Sequence, residues 1–165
     1  YALVEDDRRG RFDREKAEEL GVPVGPKFGR LHDGETVELD DGRVIRPERV
    51  VGDPRPGRRF VYTGDTRPVD ATVEVVDEPD LLVHDATFAT DWDDRARQTG
   101  HSTGLEAAQI ANRAGARRLA LMHISSRYAG DASPIEREAK QTFTGERAFV
   151  PDDGQKVEIP FPDDE

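Results

Sequence analysis

The 165-residue chain contains no cysteine, only four lysines and no long apolar run. Without cysteine it forms no disulfide bond, no thiolate zinc site and no cysteine nucleophile, so any metal ligands must be His, Asp or Glu. Apolar residues make up 35% of the sequence, and no run approaches the roughly 18 to 20 residues that a membrane-spanning helix needs. No basic segment followed by an apolar one opens the chain. These absences predict a soluble, cytoplasmic protein with no membrane partner.

The charge of the chain is strongly unbalanced, with 35 Asp and Glu against 24 Lys and Arg, for a net charge of −11. Acidic, lysine-poor surfaces suit a very salty cytoplasm, where charge repulsion is screened within roughly 3 Å at 1 M salt. We therefore expect a halophilic source, with an ordinary acidic domain as the alternative. The net charge argues against nucleic acid as a partner, whereas local basic clusters argue the other way. One such cluster contains Arg8, Arg9, Arg11, Arg14 and Lys16.

The length predicts one domain. Because the chain starts at Tyr1 and not at a methionine, we expect residues 1–165 to be one partial domain of a longer protein. Residues 5–45 differ from the rest, since they combine a charged helix after Asp13, a Pro/Gly segment and a hairpin signal at Asp41-Gly42 with little apolar material. This composition predicts a flexible, solvated appendage, an arm.

Strand and helix patterns alternate after the arm, which predicts an α/β layer over residues 46–160. Two capping-box patterns, Thr103-Gly-Leu-Glu106 and Ser133-Pro-Ile-Glu136, predict the starts of two helices. Strands are predicted at Phe60–Thr63, Leu81–His84, Leu119–Ile124, Phe149–Val150 and Val157–Ile159.

Polar side chains follow the predicted strands, where α/β proteins place their sites. Asp65 follows the first strand, His84-Asp85 ends the second, His101 precedes a helix and His123 ends the third strand. Carboxylates and neutral imidazoles without thiolates form the ligand set expected for catalytic zinc or manganese. Each residue alone is a weak signal, because a single His after a strand is more often structural than a metal ligand.

The order of these motifs resembles that of ribonuclease Z, a family of metallo-β-lactamase-fold nucleases that mature tRNA 3′ ends. The matching segments are Gly64-Asp-Thr66, Val83-His-Asp-Ala-Thr-Phe88, Gly100-His-Ser-Thr103 and His123-Ile-Ser-Ser-Arg-Tyr128. Gly21-Val-Pro-Val-Gly-Pro26 resembles the Gly-Pro segment of the family's flexible tRNA-binding arm, and Tyr128-Ala-Gly-Asp131 resembles its continuation after the last histidine. The resemblance implies an α/β fold, the C-terminal half of a metallo-β-lactamase-type αββα sandwich with an inserted tRNA-binding arm. The implied reaction is zinc-dependent endonucleolytic removal of the 3′ trailer from precursor tRNA.

The resemblance also implies a role for each motif residue. Asp65 is expected to bridge two zinc ions, with manganese as the other compatible metal, and His123 to bind one of them. His101 is expected near the scissile phosphate as an acid or transition-state stabiliser. Asp85, where the family usually has glutamate, is expected to orient His101. The arm residues expected to contact substrate are Gly25, Pro26, Arg8, Arg9, Arg11 and Lys16.

One departure from the family is large, because its His-x-His-x-Asp-His motif, which supplies most metal ligands, is absent from this sequence. We therefore expect this chain to be inactive alone and to need an upstream N-terminal half that carries the motif. The family also implies a homodimer. The alternatives are a non-catalytic tRNA-binding or dimerisation module, disfavoured by the joint presence of Asp65 and His123, and another metallo-β-lactamase-fold hydrolase acting on an ester or sulfate, disfavoured by residues 5–45.

Overall fold

A computed structural model describes residues 1–75 and 77–162, and the chain divides into two compact units. The larger unit contains Tyr1–Glu5 and the residues from Arg58 onward, and the smaller unit contains Asp6–Gly57. The elements in chain order are β1 (Ala2–Val4), α1 (Arg14–Glu19), α2 (Pro26–His32), β2 (Val37–Glu38), β3 (Val44–Ile45), β4 (Arg59–Tyr62), α3 (Asp70–Glu74), β5 (Leu81–Asp85), α4 (Asp93–Thr99), α5 (Gly104–Arg113), β6 (Arg118–Met122), α6 (Ser133–Thr142) and β7 (Arg147–Phe149). No helix in the described part of the chain has the length and apolarity to cross a bilayer.

The larger unit is built on a five-stranded sheet in the order β1-β4-β5-β6-β7. β1 pairs antiparallel with β4, and β4, β5, β6 and β7 run parallel to one another. The four parallel strands agree with the sequence prediction to within two residues at each end. The strand predicted at Val157–Ile159 is not formed, and its apolar residues pack on the sheet surface instead.

Helices α5 and α6 cover one face of the sheet and bury most of the core of the larger unit. Thr103 caps α5 through the predicted capping box. The second predicted capping box is wrong, because α6 already includes Ser133, whose backbone N–H is bound by the Asp131 carboxylate. Gly104 sits where a Cβ would lie 2.5 Å from the Ile135 carbonyl oxygen, so only glycine lets the two helices approach this closely.

The opposite face of the sheet is covered far less completely. Leu81, Ala120 and Phe149 are buried there, and the half-buried residues packed against them include Phe60 and Val83. A cavity of about 800 Å³ extends along this face. In the larger unit, helices therefore cover one face of the sheet, and the opposite face is covered only in part.

The smaller unit has a hydrophobic core of its own, in contrast to the solvated arm that its composition predicts. Its buried residues come from α1, α2, the β2–β3 hairpin and the chain after it: Ala17, Val22, Leu31, Val37, Leu39, Ile45 and Val50. Val50 belongs to this core, which is why the unit extends past the predicted boundary at residue 45. The structure divides the chain into two units, with boundaries at residues 6 and 57. One partial domain with a flexible appendage at 5–45 and an α/β layer at 46–160 stays a prediction.

Candidate active site

Four polar side chains converge at the carboxyl edge of the parallel strands. Asp85 is the last residue of β5, His123 directly follows β6, and Asp65 lies in the turn after β4. His101 lies just before α5 and reaches Asp85. The carboxyl ends of parallel strands meet at one edge of a sheet, so the strand order itself assembles residues that are far apart in sequence.

The Asp85 carboxylate is fully buried and accepts five hydrogen bonds. Its Oδ1 atom accepts from the Thr87 backbone N–H at 3.0 Å, the Thr87 hydroxyl at 2.8 Å and the Ser102 N–H at 3.2 Å. Its Oδ2 atom accepts from the Thr66 N–H at 3.0 Å and from His101 Nδ1 at 2.7 Å. Both oxygens are therefore engaged by protein donors, which compensates the cost of burying this charge.

The His101 ring is held between Asp85 and two aromatic neighbours. Because its Nδ1 is taken by the Asp85 contact, Nε2 is the ring nitrogen that remains available for another contact. The ring stacks on His123 with centroids 4.7 Å apart, and Phe88 approaches its edge with centroids 6.5 Å apart. The side chain is 20% exposed, so the imidazole is fixed in orientation yet reachable from solvent.

His123 has a positive φ of 60°, a conformation that few non-glycine residues adopt. Such strained backbone is typical of functional sites. Its Nε2 atom lies 3.3 Å from Asp65 Oδ2, and its Nδ1 atom lies 2.8 Å from the Thr87 hydroxyl. Nε2 therefore faces the Asp65 carboxylate, and Nδ1 faces the Thr87 hydroxyl.

Two overlapping groups of these side chains could hold a metal ion. Asp85, His101 and His123 each offer a ligand atom within 4.8 Å of the others. The two oxygens of Asp85 already accept five hydrogen bonds, however, and His101 uses Nδ1 for one of them, so this trio suits a hydrogen-bonded network better than a coordination sphere. Asp65 and His123 fit a zinc ion, because two ligands at roughly 2.0 to 2.2 Å in a tetrahedral arrangement lie about 3.4 Å apart, close to the observed 3.3 Å.

His84 is completely buried under the same strand edge and takes no part in this cluster. Its Nδ1 contacts the Asp85 carbonyl oxygen at 2.8 Å, and among the described residues its Nε2 has no hydrogen-bond partner. Burial lowers the pKa of His84 below its ordinary value, because desolvation penalises the charged ring. His84 is therefore a neutral structural residue.

The residues predicted to contact substrate from the arm all lie in the smaller unit. Gly25 and Pro26 begin α2, a helix that the sequence reasoning missed; Gly25 is the N-cap residue, with a φ of 147° that favours glycine. Arg9 donates to the Asp33 carboxylate. The side chains of Arg9, Arg11 and Lys16 are exposed and that of Arg8 is half-buried.

The sequence reasoning also missed the partners that hold the cluster together, which are Thr66, Thr87 and Ser102. All three lie within the quoted motifs, but each donates a backbone N–H to Asp85, which any residue type supplies, so their identity does not reveal this role. Thr87 could have been found, because a hydroxyl two residues after a buried aspartate at a strand end is placed to bind its carboxylate.

The chain is similar in sequence to several known proteins. A family model described as a beta-lactamase superfamily domain matches residues 48–124. The chain is 73% identical over 99% of its length to a protein named ribonuclease Z from Natronomonas pharaonis, of which it covers 53%. It is 66% identical to ribonuclease Z of Haloferax volcanii, covering 99% of this chain and 51% of the relative.

A further relative and a solved structure are also similar to this chain. Ribonuclease Z of Myxococcus xanthus is 53% identical over 99% of this chain and is covered to 53% of its own length. The crystal structure of the short form of human tRNase Z is 29% identical with a TM-score of 0.50, over 72% of this chain and 37% of that one. Several of the relatives come from halophilic archaea. The chain spans about half the length of the curated relatives it matches. Over nearly its whole length the chain is thus similar to about half of the ribonuclease Z sequence, and its fold is of the metallo-β-lactamase type.

Proposed function

We propose that the complete protein removes the 3′ trailer of precursor tRNA by zinc-dependent endonucleolytic cleavage, and that this chain supplies part of the active site. The observation that carries the proposal is the convergence of Asp65, Asp85, His101 and His123 at one strand edge. A pure binding module has no physical need to bring together two carboxylates and two imidazoles. The relatives named ribonuclease Z support the same reaction.

In this proposal Asp65 and His123 hold metal, and zinc is favoured over manganese because imidazole is a softer ligand than oxygen. Two zinc ions when bound would lower the pKa of a shared water and neutralise charge on the phosphoryl oxygens. Two side chains are too few for such a pair of ions, since a catalytic zinc normally has about three protein ligands. The remaining ligands would come from an upstream half that carries the His-x-His-x-Asp-His motif.

His101 and Asp85 are proposed as the proton-transfer pair. His101 would protonate the departing ribose oxygen through Nε2, the nitrogen that Asp85 leaves available. Asp85 would hold the ring in one orientation and stabilise its charged form through the 2.7 Å contact at Nδ1. In this proposal the shorter aspartate serves in place of the family's usual glutamate, and its carboxylate lies 2.7 Å from Nδ1.

The smaller unit is proposed to bind the tRNA, and its charge supports this role. It contains 11 basic and 13 acidic residues, for a net charge of −2, whereas the rest of the chain contains 13 basic and 22 acidic residues, for −9. An RNA backbone is therefore repelled far less by this unit than by the remainder of the molecule. At high salt, counterion release contributes less to binding, so shape and specific contacts carry more of the affinity. A homodimer in which the smaller unit of one subunit presents tRNA to the other is part of this proposal.

Cleavage of a 3′-extended precursor tRNA by the zinc-loaded, full-length protein tests the function. We expect a single cut at the trailer junction and loss of activity when the metal is chelated. His101→Ala should abolish most of the activity, and Gln109→Ala, on the exposed side of α5, should keep it. Residues 1–165 alone should not cleave. Tight RNA binding without cleavage by the full-length protein would favour a non-catalytic tRNA-binding module instead.

A further inference from the structure

The Thr87 hydroxyl lies between two members of the cluster. Its Oγ1 atom is 2.8 Å from Asp85 Oδ1 and 2.8 Å from His123 Nδ1. Thr87 is buried, with 5% of its surface exposed, so bulk water does not compete for these contacts. One hydroxyl therefore links the Asp85 carboxylate to the imidazole of His123.

The direction of each hydrogen bond follows from the donor and acceptor inventory. A hydroxyl has one proton to donate, and an ionised carboxylate only accepts. Two oxygens 2.8 Å apart with no proton between them would repel each other, so the Thr87 proton lies on the Asp85 side. Thr87 Oγ1 then faces His123 with a lone pair, and a lone pair at 2.8 Å requires a proton on Nδ1.

We propose that Thr87 is a positioning residue that fixes the tautomer of His123, so that Nδ1 carries the proton and Nε2 presents its lone pair to a metal ion. This inference rests on the proposed role of His123 as a metal ligand. Metal-bound histidines commonly donate their other ring N–H to a protein acceptor, which fixes ring orientation and raises ligand basicity. Here the acceptor is a threonine hydroxyl whose own proton is held by a buried carboxylate.

The geometry on the far side of the ring agrees with this assignment. With the proton on Nδ1, the Nε2 lone pair and Asp65 Oδ2 are two acceptors 3.3 Å apart. A cation between two acceptors at this separation stabilises them. By keeping the proton on Nδ1, the hydroxyl of Thr87 leaves the Nε2 lone pair and the Asp65 carboxylate available to bind a metal ion together. The positive φ of His123 costs backbone energy, and the Thr87 contact helps to hold the residue in that conformation.

The tautomer can be read directly from ¹⁵N-labelled, zinc-loaded full-length protein by nitrogen–proton correlation through the imidazole carbons. We expect the His123 ring to carry its proton on Nδ1 and to show a metal-shifted Nε2. A proton on Nε2, or zinc on Nδ1, would overturn the proposal. This measurement needs no variant and no RNA, so it stands even if a substitution at Thr87 disturbs folding.

Variants supply the second readout, which is the zinc dissociation constant measured by competition with a chromophoric chelator. Thr87→Val keeps the shape but removes the hydroxyl, and we expect zinc affinity to fall about 10- to 100-fold, the usual effect of losing such a partner. Thr87→Ser should restore most of the affinity. Thr72→Val, at a similarly buried threonine on α3, should bind zinc like the unmodified protein.

Unchanged affinity in Thr87→Val, or failure of Thr87→Ser to rescue it, would contradict the role of the hydroxyl. The outcomes also separate this inference from the proposed function. Correct zinc binding and tautomer without precursor tRNA cleavage would refute the function and leave the role of Thr87 intact. Precursor tRNA cleavage with zinc bound away from His123 would support the function and refute the role of Thr87.

Discussion

Replacing Asp85 with asparagine tests whether this buried carboxylate positions His101 or binds metal. The asparagine oxygen can still accept from Thr87 and Ser102 at the Oδ1 position. The amide NH₂ must then occupy the Oδ2 position, where it faces the N–H of Thr66 and the Nδ1 of His101. The substitution therefore turns one acceptor into a donor opposite two groups that donate.

The size of the effect follows from the two hydrogen bonds that the substitution removes. A hydrogen bond to a charged group contributes about 1.5 to 3 kcal/mol, and each 1.4 kcal/mol is about tenfold in rate. Without the charge-assisted bond to His101, the chemical step should thus slow by about 10- to 100-fold. The unsatisfied Thr66 N–H should also lower the free energy of unfolding by about 1 to 3 kcal/mol.

The assay is single-turnover cleavage of precursor tRNA by the full-length Asp85→Asn variant, with zinc content measured on the same sample. We expect full zinc occupancy, a slower chemical step and little change in RNA binding. Stoichiometric loss of zinc would show that Asp85 is a ligand, as the proximity of Asp85, His101 and His123 also allows. An unchanged rate would refute its role in orienting His101.

Three other perturbations have definite expected outcomes. His101→Ala should keep the metals but slow cleavage by about 10² to 10⁴, the usual contribution of a positioned acid–base group; loss of zinc in this variant would make His101 a ligand. Replacing residues 6–57 by a short linker should weaken precursor tRNA binding strongly and leave hydrolysis of a small phosphodiester nearly unchanged. The Glu5 N–H and the Arg58 carbonyl oxygen are 2.9 Å apart, so a short linker can join the two ends without moving the larger unit. Equal losses on both substrates would contradict a purely substrate-binding role. Burial lowers the pKa of His84, so below about pH 6.5 the unfolded chain binds a proton that the native state does not. The free energy of unfolding should therefore fall as the pH drops below about 6.5, by at most about 1.4 kcal/mol per pH unit. Chemical denaturation from pH 5 to 8 should show a flatter profile for His84→Phe than for the unmodified protein, and identical slopes would refute the argument.

The sequence predicts the larger unit well because its signals are local. Apolar runs define β4, β5 and β6, and Thr103 with Glu106 marks the start of α5. The failures have physical reasons: Asp131 binds the N–H of Ser133 and allows α6 to include that residue, and Val157–Ile159 is apolar because it packs on the sheet, not because it pairs with a strand.

The smaller unit was harder to predict because its core is assembled from widely spaced single residues. Val22, Leu31 and Val50 each stand outside any apolar run, so no local pattern marks them, and only the fold brings them together. The candidate site was likewise predictable only in part. The motifs mark Asp65, Asp85, His101 and His123, whereas the backbone N–H groups that bind Asp85 carry no side-chain signature.

Anomalous diffraction at the zinc absorption edge, from crystals of the zinc-loaded full-length protein, tests most directly how the four side chains divide their roles. We expect anomalous peaks within bonding distance of Asp65 and of His123 Nε2. We also expect Asp85 to keep its contact with His101 Nδ1 and neither of these two residues to touch a metal. A peak bonded to Asp85 or His101, with Asp65 left free, would contradict the account.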